Sequence, residues 1–232
     1  NELVNKWALD VFSLYSLPED VVRLEKRRIA VYADEGVAIA LKELGFDYDS
    51  ISLDDLNTGK ILEYDLFLNR NRQWSDSITT EGKASLTDFF ANGGDYIGLL
   101  RTGVDFAADA GLMAPAYDRE RSADAIIRTV YDPDDSIAAG FRNDGYAYVL
   151  GALWFTDIPE DARISASIAD DDFLTAGFWE DWQTSSAKKQ PVIIHQDNGI
   201  QDTTLIGIDA TFRGHPKNTF RLIGNAIFDG LE

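Results

Sequence analysis

The chain of 232 residues contains no cysteine, which excludes disulfides, thiolate zinc sites and a cysteine nucleophile. Histidine is scarce, with two residues, and the 21 Lys and Arg are outnumbered by 40 Asp and Glu, for a net charge of −19. Such a field repels phosphate backbones, so the charge argues against nucleic acid as a partner. No apolar run approaches the roughly 20 residues of a membrane span. We therefore expect a soluble, acidic fold with no membrane span.

Strands and helices alternate in the first half of the chain, which predicts a parallel sheet covered on both faces. Asp34 is a candidate helix cap and Gly45 a helix stop, because a carboxylate accepts from free N–H groups and glycine tolerates a left-handed backbone. A further helix is predicted to start at Thr79 or Thr80. The predicted strands are 29–33, 48–53, 64–68 and 96–100.

The second half has a different pattern, with strand-like segments separated by turn clusters and no obvious helices between them. The segments 125–130, 146–150 and 162–168 predict antiparallel strands, and 191–195 with 203–208 predict a hairpin around Asn198-Gly199. The fold class is thus three-layer α/β: a doubly wound, mostly parallel sheet with added antiparallel strands. We assign it to residues 27–232, and residues 1–26 to a helical extension or a linker from a preceding domain.

The segment Asp95–Gly111 predicts a strand, a sharp turn and a helix, the geometry that presents ligands or nucleophiles above a sheet. Its turn offers Leu100, Arg101 and Thr102, none of which is a strong nucleophile by itself. A second strand-turn-helix closes the chain and carries His215-Pro216-Lys217.

Two such turns, with His-Pro on the last, resemble the class I glutamine amidotransferase fold, which is also flavodoxin-like. That family places a nucleophilic cysteine on the first turn and a His-x-Glu pair on the last. Here the nucleophile position falls at Leu100 or Arg101, and Lys217 stands where the resemblance implies a carboxylate. Lysine cannot accept the imidazole N–H. Glutaminase chemistry is therefore excluded by residue type.

A second resemblance covers most of residues 27–229. It is similar to the amidotransferase-like domain that follows the catalytic domain in some bacterial zinc carboxypeptidases. The similarity implies an accessory domain of a secreted peptidase, with the catalytic domain of the same polypeptide as partner. It is carried by Asp34-Glu35-Gly36, Leu44-Gly45-Phe46, the Gly93–Gly98 and Thr102–Val104 segments, Val130–Pro133, Ala176–Trp179, Phe212–Pro216 and Asn225-Ala226.

The zinc site of those peptidases requires a His-x-x-Glu pair, whereas His195 and His215 are followed at the third position by Asn198 and Asn218. We expect no peptidase metal site and no cofactor in this chain. The clusters Asp132-Pro133-Asp134-Asp135 and Asp170-Asp171-Asp172 lack the spacing of a calcium loop and are interpreted as solvated turns.

Six residues form the candidate pocket at the carboxyl edge of the sheet, with no catalytic assignment: Asp34, Glu35, Arg101, Thr102, Arg213 and His215. Arg101 suits a carboxylate ligand, but a salt bridge to Asp34 or Glu35 explains it better. His215 is interpreted as packing at the start of the last helix, and His195 as a hydrogen-bonded strand residue. Core packing is the favoured interpretation of the aromatic group Trp154, Phe155, Phe178, Trp179 and Trp182, over a platform for sugar or peptide.

Three functions remain open on these residues. The favoured one is a non-catalytic accessory domain of a larger secreted hydrolase, acting in docking, assembly or substrate recognition. The others are a hydrolase using Glu35 or Thr102 with His215, and a module binding a small ligand, peptide or carbohydrate. The extracellular location rests on the resemblance alone, and a homo-oligomer is left open.

Overall fold

The computed structural model describes residues 27–70 and 77–230, and its parallel half is built from five strands. Their order, β2-β1-β3-β4-β10, is the flavodoxin-like order, and every neighbouring pair in it is parallel. The strands are β1 (Ile29–Tyr32), β2 (Asp49–Ser50), β3 (Leu66–Asn69), β4 (Asp95–Leu99) and β10 (Asp202–Ile206).

The antiparallel half extends the same sheet. From β10 the order continues through β9, β7, β5 and β6, while β8 pairs with β5, which makes ten strands in all. The long β5–β6 hairpin is its largest pairing. These strands are β5 (Ala116–Tyr131), β6 (Asp144–Asp157), β7 (Arg163–Ile168), β8 (Leu174–Phe178) and β9 (Pro191–Asp197).

Five α-helices accompany the sheet within residues 27–70 and 77–230, and local chemistry explains where the first begins and ends. Asp34 accepts hydrogen bonds from Gly36 N at 3.1 Å and Val37 N at 3.3 Å, and Gly45 ends the helix at φ 82°. Both predictions are confirmed, as is the helix start at Thr79 or Thr80, since the third helix begins at Thr80 with Thr79 as its cap. The helices are α1 (Glu35–Leu44), α2 (Leu53–Asn57), α3 (Thr80–Ala91), α4 (Leu100–Asp109) and α5 (Phe220–Asp229).

Alternate residues of the central strands pack into two different cores, one on each face of the sheet. In β3, Leu66 and Leu68 belong to one buried cluster and Phe67 to the other. In β4, Ile97 lies with the first cluster and Tyr96 with the second. The prediction of a sheet covered on both faces is confirmed.

The aromatic group divides between core and surface. Trp154 and Trp179 are buried and stacked, with ring centroids 5.8 Å apart, and Phe155 is fully buried. Phe178 is 55% exposed, and Trp182 packs at the edge of the core. Core packing therefore accounts for the buried members but not for Phe178.

The predicted strand 48–53 is mostly wrong, because only Asp49 and Ser50 pair in the sheet as a strand. Ser52 accepts a hydrogen bond from Asp55 N at 3.2 Å, and Asp55 accepts one from Ser52 N at 2.8 Å. This reciprocal capping box starts α2, and its Ser-x-x-Asp signature is visible in the sequence. The predicted helical extension at residues 1–26 lies outside the described residues, and the division into 1–26 and 27–232 stays a prediction.

Candidate functional site

Four polar or strained residues meet where the parallel strands end. Asp34 follows β1, Arg70 directly follows β3, Leu100 directly follows β4 and Asp209 follows β10. The carboxyl ends of parallel strands share one edge of the sheet, and the order β2-β1-β3 places the topological switch point between β1 and β3. This edge is the expected place for a ligand in an open α/β sheet.

Arg70 connects three of these strand ends. Its guanidinium forms ion pairs with Asp34 and, at 3.1 Å, with Asp209, and its side chain is only 12% exposed. Asp209 is buried and also accepts a hydrogen bond from Leu150 N at 2.6 Å. Burial raises the pKa of Asp209 to about 6, although the bond from Leu150 and the charge of Arg70 oppose that rise. The base of the site is thus a largely buried Arg70–Asp209 ion pair, to which the exposed carboxylate of Asp34 is joined.

The predicted salt bridge of Arg101 to Asp34 or Glu35 is wrong. Arg101 pairs with Asp105, one turn further along α4, at 2.7 Å, and Asp105 also accepts a hydrogen bond from the Tyr117 hydroxyl at 2.6 Å. The partner of Asp34 is Arg70 instead. Arg101 and Asp105 are four residues apart on one helix, so they can pair without any tertiary contact. Arg70 lies just after the end of β3, next to β1 at the switch point, and therefore reaches Asp34.

Leu100 stands at the sharp turn between β4 and α4. Its φ is 56°, a left-handed conformation that is a genuine outlier for leucine. Two glycines permit this turn, because a Cβ at Gly103 would lie 2.5 Å from Cα of Gly98. A strained residue on a tight strand-to-helix turn is the position of an elbow nucleophile. Of the two positions that the sequence left open, the backbone thus selects Leu100, whose side chain carries no reactive group.

The remaining predicted pocket residues divide among neighbouring cavities. Thr102 shares a cleft of about 840 Å³ with Asp34 and Arg101, and its hydroxyl donates to Arg70 O at 3.2 Å. Glu35 and Arg213 are exposed and line an adjoining pocket of about 530 Å³ that also contacts Asp34 and Arg70.

His215 is separate from both of these cavities. It is exposed and lines a mainly apolar recess beside Tyr146 and Tyr148. Its neighbour in the motif, Lys217, forms a surface ion pair with Glu43 at 2.6 Å. The His-Pro-Lys segment therefore does not face the turn at Leu100.

Three arginines that the sequence analysis did not select line the larger cleft, namely Arg70, Arg119 and Arg121. With Arg101 they define what we call the arginine cleft. Arg119 and Arg121 lie on β5, where the pairing with β6 shifts register between Glu120 and Asp124. A bulge of this kind redirects side chains, and here residues of β5 and β6 line the same cleft as the residues at the ends of the parallel strands. Only Arg70 carried a sequence signal, its position two residues after the predicted strand 64–68.

A second ionic cluster lies at the amino end of β10, where His195 of β9 is buried. Its Nε2 lies 2.7 Å from Asp135 and its Nδ1 lies 3.2 Å from Asp229. Burial opposes protonation of His195, but the bonds to the two carboxylates outweigh it and raise its pKa to about 9. His195 is thus the hydrogen-bonded strand residue that was predicted.

The two acidic clusters that the sequence analysis interpreted as solvated turns differ in burial. Asp135 is buried, so the interpretation of 132–135 as a wholly solvated turn is wrong, whereas Asp170, Asp171 and Asp172 are exposed.

Two negative findings concern the described parts of the chain. Within residues 27–70 and 77–230, no three His, Asp or Glu side chains are grouped so that they could hold a metal ion. Over the same residues, the helices are too short or too polar to cross a membrane.

Comparison with solved structures identifies the fold. The chain is similar to a glutamine amidotransferase from Thermotoga maritima, with 10% identity and a TM-score of 0.54, over 89% of this chain and 98% of that one. It is also similar to a cytoplasmic protein from Salmonella typhimurium, with 11% identity and a TM-score of 0.59, over 87% and 97%.

A β-galactosidase from Bacillus circulans matches as well, with 12% identity and a TM-score of 0.53, over 86% of this chain but 30% of that one. No protein-family model and no curated protein matches the sequence. Likeness at this level of identity defines the fold alone, so the chain has a class I glutamine amidotransferase-like, flavodoxin-like fold. The predicted fold class is confirmed.

Proposed function

We propose that this chain is a non-catalytic, amidotransferase-like domain that uses its cleft to recognise a ligand rather than to hydrolyse it. The observation that carries the proposal is Leu100 at the nucleophile elbow. An elbow of φ 56° aims one side chain at the crevice, and an aliphatic side chain there cannot attack a carbonyl carbon. The scaffold for covalent catalysis is present without its reacting atom.

The placement of the other catalytic candidates supports the same proposal. Covalent catalysis requires a base within hydrogen-bond reach of the nucleophile. His215 lines a different recess from Thr102, and His195 is enclosed by Asp135 and Asp229 at the other edge of the sheet. Thr102 donates its proton to a backbone carbonyl. These positions argue against the hydrolase that would use Glu35 or Thr102 with His215.

The open cleft favours ligand recognition over a purely structural role. Its volume of about 840 Å³ falls within the range of roughly 300–1,000 Å³ that is usual for small-molecule sites. Arg101, which was expected to pair with Asp34 or Glu35, pairs along its own helix instead and does not fill the crevice together with either carboxylate. Recognition of a small ligand is therefore the function that the geometry supports best.

We further propose that the domain serves a larger secreted hydrolase of the zinc carboxypeptidase type, with the catalytic domain of the same polypeptide as its partner. The support is the series of motifs from Asp34-Glu35-Gly36 to Asn225-Ala226. The β-galactosidase match, which occupies 30% of that enzyme's chain, is consistent with this fold serving as one part of a large hydrolase. The coding sequence upstream of residue 1 tests the context. A His-x-x-Glu pair with a distant histidine in the same reading frame is expected, and a stop codon in place of that domain would contradict it.

Turnover assays test the absence of catalysis. Incubation of the purified protein with glutamine or with a simple ester is expected to release product no faster than buffer alone. The variants Thr102→Val and His215→Ala serve as controls for contaminating activity. Turnover that disappears in either variant would overturn the proposal, because it would make that side chain part of a working site.

A further inference from the structure

The arginine cleft gathers positive charge in a strongly negative molecule. The chain carries −19 overall, yet four of its guanidinium groups line this single cavity at the carboxyl edge of the sheet. In a molecule whose average potential repels anions, such a concentration requires a local explanation.

Ion pairs with carboxylates in the described parts of the chain neutralise only two of the four arginines in the cleft. Arg70 is compensated by Asp34 and Asp209, and Arg101 by Asp105. Arg119 and Arg121 form no salt bridge with any residue in 27–70 or 77–230. Two guanidinium groups therefore face the cleft with their hydrogen-bond donors available.

The backbone of β5 brings both of these groups to the site. Arg119 pairs opposite Leu153, after which the register shifts until Asp124 pairs opposite Leu150. Arg121 falls inside this bulge, close to Gly151, where the backbone has a φ of 71°. Bulges are over-represented at sheet edges and next to active sites, and this one combines both positions, since β6 is the edge strand and the bulged segment lines the cleft.

We propose that the arginine cleft binds a small organic anion through carboxylate or phosphate groups held by Arg119 and Arg121. Guanidinium is planar and presents paired donors that match both kinds of oxyanion. Helix α4 begins at Leu100 on the wall of the same cleft, so its amino end adds a favourable dipole. The ligand class rests on the proposed function, namely that the cleft binds its ligand without hydrolysing it.

Binding of defined probes by the whole protein tests the proposal. Isothermal titration is carried out with citrate, with pyrophosphate and with the neutral sugar maltose, at one fixed ionic strength. Saturable binding of either anion is expected, with no binding of maltose. Tighter binding of citrate would indicate a carboxylate ligand, and tighter binding of pyrophosphate would indicate a phosphate ligand. Binding of maltose alone, or of no probe, would overturn the proposal.

Single substitutions locate the binding. Arg119→Gln and Arg121→Gln are each expected to weaken anion binding by about tenfold or more, because each removes a charged hydrogen-bond donor. Arg121→Lys keeps the charge but loses the planar fork, so an intermediate loss is expected. Arg142→Gln removes the same charge from an exposed residue outside the cleft and should change the affinity less than twofold.

Equal losses of anion affinity in Arg121→Gln and Arg142→Gln would show that the anion is attracted by overall charge, and would overturn the proposed binding site. Failure of this proposal and failure of the proposed function give different results. Turnover of glutamine would contradict the absence of catalysis while leaving anion binding intact. Absence of anion binding in a protein without turnover would contradict the ligand class alone.

Discussion

Asp209 is the residue on which the base of the cleft depends. It is buried, pairs with Arg70 and accepts the amide proton of Leu150. Asp209→Ala would leave a buried cation half-compensated and an amide unbonded, so we expect a loss of roughly 3–5 kcal/mol in the free energy of unfolding. Urea denaturation measures this loss in the free energy of unfolding. Glu43→Ala, which breaks the exposed pair with Lys217, is the control and should cost about 0–1 kcal/mol. Similar losses in both variants would show that the network does not anchor the site.

Leu100 provides a test of backbone strain at the elbow. Asparagine tolerates the left-handed region and β-branched valine does not. At φ 56° we therefore expect Leu100→Asn to be more stable than Leu100→Val by about 1–2 kcal/mol, although valine is the more conservative change in polarity. Thermal and urea unfolding of the two variants make the comparison. Greater stability of the valine variant would mean that burial of the side chain, rather than φ, dominates at this position.

At the scale of elements, the contact of β4 with α4 depends on two glycines. A Cβ at Gly103 would lie 2.5 Å from Cα of Gly98, a backbone atom that cannot move aside. We expect Gly103→Ala to destabilise the protein by about 2 kcal/mol or more through displacement of the helix. In α5, by contrast, a Cβ at Gly224 would meet only side chains at 3.7 Å or beyond.

Gly224→Ala is thus the matched control, and it should be neutral or stabilising by up to about 1 kcal/mol because alanine favours the helix. Urea unfolding of both variants checks the pair. Equal effects would contradict a specific close approach at the elbow.

The helices and strands also show which local sequence signals are sufficient to predict where an element begins and ends. Helix α1 was predicted at both ends because Asp34 and Gly45 act within one turn of their own positions. The second strand was predicted too long because its apolar residues continue past Ser52, where the capping box with Asp55 starts α2. The apolar pattern favours a longer strand, but the four-residue capping box from Ser52 to Asp55 starts a helix there instead.

We expect the protein to lose stability as pH rises, because His195 and Asp202, like Asp209 at the base of the cleft, hold protons more tightly in the folded state. The pKa of His195 is raised to about 9 from an ordinary value of 6.5, so between these values the folded state binds more protons than the unfolded state. The stabilisation is complete below pH 6.5 and lost towards pH 9. Burial, together with the charges of Asp95 and Asp229, raises the pKa of Asp202 to about 7, so its effect falls between about pH 4 and 7.

Unfolding midpoints in urea, measured from pH 5 to 9.5, test both windows. We expect His195→Gln to flatten the decline above pH 6.5 and Asp202→Asn to flatten it below pH 7. Stability that rises from pH 6.5 to 9 in the unmodified protein would contradict the assignment of His195. Identical curves for the two variants would show that the windows do not belong to these residues.

Some residues of the cleft could be predicted from the sequence, whereas others lie too far along the chain for the sequence to connect them. Asp34, Arg101 and Thr102 were selected from the sequence and do share the cavity, whereas Arg119 and Arg121 were not selected. The first group follows predicted strands, where a crevice is expected. The second lies within a long strand and reaches the cleft through a bulge, for which this sequence carries no recognisable signal.

The sequence by itself determined the α/β class, the caps of α1 and the absence of a cysteine nucleophile, because residue chemistry and local hydrogen bonding act within a few positions. Only the tertiary structure decided that Leu100 occupies the elbow and that Arg70, not Arg101, neutralises Asp34. Arg70 is separated by 36 residues from Asp34 and by 139 from Asp209. Such partners are chosen by the pairing of strands, which brings distant segments to one edge of the sheet.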